Sequence, residues 1–184
     1  MLVPYDKNAR SDRKRSCAVD LKFSFSWVGL VIFALPMLIN IFYALFPPVQ
    51  APASPAHITR GVEITEQVSR IAYLLAVVLL VSREPLHFPD IWLYLAAGFL
   101  LLYYAVWIRY FAGGRKTALL RRAFLLIPLP LAVFPVLYFL CAALWLRNLP
   151  AAVIMVIFGA AHITVSIQSF SAESEKEMSQ ENDF

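Results

Sequence analysis

Charge is scarce in this chain. Asp, Glu, Lys and Arg supply 15% of its 184 residues, against 60% hydrophobic ones. That balance excludes an ordinary soluble domain, and no polar stretch is long enough to make a second domain. Cysteine is nearly missing. The two present, Cys17 in a charged tail and Cys141 in an apolar run, lie too far apart for a disulfide framework or a zinc spacing. The three histidines, His57, His87 and His162, are scattered, and none has the Cys, His or Asp neighbours that a metal site needs. No phosphate-binding glycine loop, HExxH metal motif, Gly-x-Ser-x-Gly elbow or paired-carboxylate centre occurs, and no internal repeat. No reaction, metal or cofactor is therefore specified.

What remains is a series of long apolar runs. A helix rises 1.5 Å per residue, so about 20 residues cross a hydrocarbon core of roughly 30 Å. Five segments reach that length, near Phe25–Phe46, Ile64–Val81, Ile91–Phe111, Leu119–Leu146 and Leu149–Phe170. Backbone polar groups find no water in lipid, so each is expected to be a helix. The expected fold is all-α, a polytopic bundle of about five transmembrane helices over residues 25–170. A basic N-terminal tail (1–24) precedes it and an acidic mobile tail (171–184) follows. The cell membrane is the expected location. A net charge of +4 in such a chain points to lipid head groups rather than to nucleic acid. The first run is too long for a signal core, so it is read as an uncleaved span.

The gaps agree with this division. Pro47, Pro48, Pro52 and Pro55 make a stiff first loop. Pro85 and Pro89 separate the second and third helices, Gly113-Gly114 stops the third, and Asn148-Leu149-Pro150 turns into the fifth. Pro128, Pro130 and Pro135 are expected to kink or interrupt the fourth helix in its first half. Trp92, Tyr94, Tyr103, Tyr104, Trp107, Tyr110 and Trp145 read as an aromatic belt at the membrane surfaces. The basic N-terminus is placed in the cytoplasm, although the basic loop three spans later then falls on the other side.

A few polar residues interrupt the runs. Counted from the span ends, Asn40 lies about 22 Å into the first helix, His162 about 20 Å into the fifth, and Arg70 at nearly the same level. Glu66 and Ser166 lie slightly nearer the same surface. These five can share one layer. Glu66 and Arg70, four apart, occupy one helix face and can pair. Met155, Gly159, His162, Ser166 and Ser169 form a small or polar stripe expected to face protein, and Gly29, Phe33, Pro36, Asn40 and Tyr43 form another. Each has a plain structural reading: an ion pair below the head groups, a packing seam, a helix tie. Together they also fit an intramembrane ligand site of Asn40, Glu66, Arg70, His162 and Ser166. Arg109, Arg115, Lys116, Arg121 and Arg122 would sit above it, touching head groups or an anion.

The leading expectation is a membrane protein that binds or transports a small amphipathic molecule, with membrane lipids as its surroundings. A membrane-embedded enzyme acting on a lipid or isoprenoid is a second class. An accessory or assembly subunit is a third, either a homo-oligomer or one of several partner membrane subunits, its small-residue seams facing outwards.

Overall fold

The computed structural model describes residues 20–48, 58–116, 119–120, 123–125 and 127–181, with the side chains of the last helix followed as far as Ser169. Cys17, His57, Arg121, Arg122 and most of the first loop lie outside these residues. Among the described residues five long helices stand out: α1 (Trp27–Leu45), α2 (Arg60–Leu79), α3 (Ile91–Ala112), α4 (Pro130–Trp145) and α5 (Leu149–Glu181). Three are long and apolar enough to cross a membrane, namely α1, α3 and the Leu149–Ser169 part of α5.

The helices alternate in direction. Ser26, just before α1, lies beside the end of α2, donating from its backbone to Val78 O at 2.8 Å. Thr59, just before α2, meets Gln168 of α5, whose Oε1 accepts from Thr59 N at 3.1 Å. Phe88, before α3, packs edge-on against Trp145 at the end of α4, with ring centres 5.4 Å apart. Helix α4 is the hub: it lies between α3 and α5 and buries ten of its 16 residues.

The described residues are mostly helical, as expected, with one short ribbon added: β1 (Leu21–Phe23) pairs antiparallel with β2 (Leu80–Ser82). Helix ends leave carbonyls without partners, and the chain before α1 supplies them at the end of α2. Ser24 N donates to Leu79 O at 2.9 Å and Ser26 N to Val78 O. The expected span Leu119–Leu146 is corrected to a shorter helix. Leu119 and Leu120 are helical, Phe124 and Ile127 form a bridge, and the long helix begins only at Pro130. Proline has no N–H to bond back and fits the first helical position, so the run is interrupted and not kinked at Pro128 and Pro130, the second of the two outcomes expected of them. Pro135 stays inside. At 16 residues, α4 is about 24 Å long.

The aromatic belt is also corrected in part. Trp92 and Tyr94 are exposed, but Tyr103, Trp107, Tyr110 and Trp145 are buried in the bundle. Tyr103, Trp107 and Tyr110 share one face of α3 and enclose Tyr43 of α1, which lies 5.2 Å from Trp107 and 5.9 Å from Tyr110 between ring centres. The acidic segment expected as a tail after Ser171 continues α5 as far as Glu181.

Candidate functional site: a polar cluster at an apolar cavity

Helix α2 turns one charge fully inwards: Glu66, Ser69, Tyr73 and Ala76 are buried, Arg70 is half-buried, and Arg60 and Glu63 of the first turn are exposed. Ile64, Val68, Ile71 and Leu75 are exposed as well, an apolar stripe that a helix on a water-soluble protein would cover. Glu66 is only 5% exposed. Its Oε1 has two partners: Arg70 Nη2 in an ion pair one turn along, and His162 Nδ1 of α5 at 3.0 Å. Arg70 is held further by Gln67, whose Oε1 accepts from Nη1 at 3.2 Å, and by Phe158, whose ring centre lies 5.6 Å from the guanidinium carbon. Phe158 also stacks on the His162 imidazole at 5.1 Å, the planes 14° apart. A buried carboxylate is costly alone, and here a cation and an imidazole share it.

Gly159 lets α5 approach α4. A methyl group there would come within 2.6 Å of Val136 Cγ1, so the small-residue stripe faces the protein interior. Ser166 turns its hydroxyl back to His162 O at 2.8 Å.

On the other side of the bundle Pro36 of α1 withholds the helix bond from Ile32 O. Tyr138 of α4 supplies it, its hydroxyl donating at 2.8 Å. Four residues later the exposed Asn40 side chain accepts from Tyr103 Oη at 3.1 Å.

A cavity of about 190 Å³ lies between these walls. Asn40, Tyr103, Arg70, Tyr73 and His162 give it polar groups, while Phe33, Met37, Leu131, Pro135, Phe139, Met155 and Phe158 make it mostly apolar. A second cavity of about 90 Å³ touches His162 and Ser166 from the α4 side, with Leu131 common to both. Three of the five candidate residues, Asn40, Arg70 and His162, thus border one space. Glu66 stands behind it, and Ser166 borders the adjoining one.

The basic rim is built differently. Arg109 Nη2 donates to Leu119 O at 2.7 Å, and its guanidinium lies over Phe124, so this side chain organises the loop that leads to α4. Arg115 has a left-handed backbone at φ 57° and returns its N–H to Tyr110 O at 3.1 Å. Lys116 is exposed.

Tyr103, Tyr73 and Phe158 at the cavity were not singled out from the sequence as site residues. The signal for Tyr103 was available in its spacing from Trp107 and Tyr110, which marks one helix face rather than a belt. No known protein family, curated protein or solved structure matches this chain.

Proposed function

We propose that all five helices lie in the bilayer and that the cavity binds a small amphipathic molecule. The observation that carries this reading is the side-by-side placement of Arg70 and His162, both held by buried Glu66, on the wall of a mostly apolar space. Polar groups at one side of an apolar pocket orient a ligand that has one polar end.

Two features support the membrane placement of α2 and α4, whose length or mean hydropathy falls short of an independent span. Ile64, Val68, Ile71 and Leu75 make an apolar stripe along the outside of α2, and Glu66, the charge farthest from water, is buried where Arg70 and His162 satisfy it, as an intramembrane charge requires. Helix α4 is enclosed by its neighbours, so it need not present a lipid-spanning surface of its own. Gly159 facing Val136 favours an internal pocket over an outward interface for a partner subunit.

The volume limits the ligand. A cavity of roughly 150 Å³ holds a benzene molecule, so about 190 Å³ takes about eight heavy atoms or the polar end of a longer lipid. Ligands of that size bind with Kd values of roughly 10 µM to 1 mM.

Thermal-shift measurements on the purified protein, against a panel of six- to ten-carbon amphiphiles, test the reading. At a hundred times its Kd a ligand adds about 2.7 kcal/mol, a shift of several degrees in Tm. The shift is expected in the wild type and in Val153→Ala on the outer face, and is expected to be lost in Arg70→Ala and His162→Ala. Equal shifts in all four proteins would place the ligand elsewhere.

A further inference from the structure

We infer that the ligand is a monocarboxylic acid with a short apolar tail, and that it passes its proton to His162 as it binds. This rests on the pocket proposed above and assigns its chemistry.

The inference starts from the hydrogen-bond pattern of Glu66. Its Oε1 is shared by Arg70 Nη2 and His162 Nδ1. An ionised carboxylate only accepts, so Nδ1 carries the hydrogen and Nε2 of the neutral ring is the bare acceptor. Nε2 has no partner among the described residues, and the ring borders both cavities. Arg70 uses two of the five N–H donors of a guanidinium, towards Glu66 and Gln67. Three remain, on a group whose plane is set by Phe158.

Charge then selects the ligand. Glu66, Arg70 and a neutral His162 sum to zero, and an uncompensated charge at this depth is costly. The species that enters must therefore be neutral overall. An amine enters neutral only by leaving its proton in water, and its single lone pair then offers the guanidinium fork one acceptor where a carboxylate offers two; a phosphate monoester brings more negative charge than one imidazole can offset. An alcohol is neutral but leaves most of the guanidinium fork unused. A carboxylic acid satisfies both groups, since guanidinium and carboxylate match in geometry. The acid's O–H bond breaks and its electron pair stays on the carboxylate oxygen. The proton forms an N–H bond at Nε2. The carboxylate is left on Arg70 and the imidazolium on Glu66, with total charge still zero.

No other group competes for this proton. Tyr73 donates to Phe139 O at 2.9 Å and Tyr103 to Asn40. Asn40 on α1 and the lining residues of α4, Leu131, Pro135 and Phe139, carry no charge. The acid's tail would lie against Phe33, Met37 and Met155.

Isothermal titration of the full chain in detergent tests this, with hexanoate, hexan-1-ol and hexylamine as probes. Measurements run from pH 6 to 8 in two buffers of different ionisation heat. In solution hexanoate is an anion, so its binding must take up about one proton per ligand. Its Kd should rise about tenfold between pH 7 and 8. Hexanol should bind at least tenfold more weakly, and hexylamine not measurably. In His162→Gln, hexanoate binding should weaken at least tenfold and lose both proton uptake and pH dependence. Hexanol binding should persist there, which shows that the pocket is still folded. The two-buffer experiment on the wild type decides the point even if that variant does not fold. Hexanoate binding without proton uptake, or alcohol or amine bound as tightly as the acid, overturns the acid assignment while leaving the pocket intact. Failure of all three probes overturns the pocket as well.

Discussion

Asn148 shows how much one polar side chain can organise in an apolar bundle. It is 1% exposed, and its Nδ2 donates to Ala76 O at 2.9 Å and to Leu80 O at 2.8 Å. Its Oδ1 accepts from Ala151 N at 3.1 Å, as a helix N-cap does. One residue thus closes the end of α2 and starts α5. From the sequence it reads only as part of a turn, because its two carbonyl partners lie about seventy positions earlier and no local pattern announces them. Asn148→Ala should lower stability by about 2–4 kcal/mol, from a lost cap and two buried carbonyls left short. Reversible unfolding in mixed micelles measures this. A loss below about 0.5 kcal/mol would mean that water replaces the side chain there. Glu66, Arg70 and His162 were legible as candidates, since any charged or titratable residue within an apolar run stands out. The Glu66–Arg70 pair was legible too, from its spacing of four; that Glu66 also meets His162 was not, because depth along a helix gives height and only rotation gives contact.

At the scale of elements, the apolar runs located α1, α3 and the start of α5 to within two residues, because length and uniform hydropathy suffice where lipid is the solvent; the end of α5 lies eleven residues beyond the apolar run, at Glu181. The start of α4 was misplaced by eleven residues, Leu119 against Pro130. Hydropathy does not distinguish an apolar irregular segment from an apolar helix, and the prolines that mark the true start were read as a kink or interruption inside one long helix. The β1–β2 ribbon was invisible. Three residues per strand are too few for an alternation to register, and Leu80 and Val81 simply extend the apolar run of α2. Helix α2 is the informative case. Averaged over its length it is only mildly apolar, yet its outer face is not. Ile71 lies mid-helix on that face and is 59% exposed. If the face meets lipid, Ile71→Lys should cost about 2.5–3.5 kcal/mol of insertion free energy. The yield of protein in the membrane fraction should fall severalfold. An exposed lysine in water changes stability by about 0.5 kcal/mol at most, so an unchanged yield would place α2 outside the hydrocarbon.

The whole molecule has two unlike ends. One holds the β-ribbon, Asn148 and the Phe88–Trp145 contact. The other holds the start of α2, the Arg109 loop and the Thr59–Gln168 pair. The polar cavity sits towards the second end, below the loop that Arg109 organises. Residue 20 and the basic loop after α3 are therefore at opposite ends, and positive charge alone does not choose the orientation. Helix α5, with 33 residues, is about 50 Å long and exceeds a 30 Å core by about 20 Å, so its acidic last turns project beyond the second end. The central claim, a ligand held inside the bundle rather than on its lipid-facing surface, is tested most directly by photo-crosslinking. A short fatty acid with a diazirine near its tail end is incorporated with the full chain in bilayers, and the adducts are mapped by mass spectrometry. The account predicts adducts on Met37, Phe139 and Met155, suppressed by excess hexanoate. Adducts confined to outward residues such as Val68 and Val156, with no competition, would contradict it.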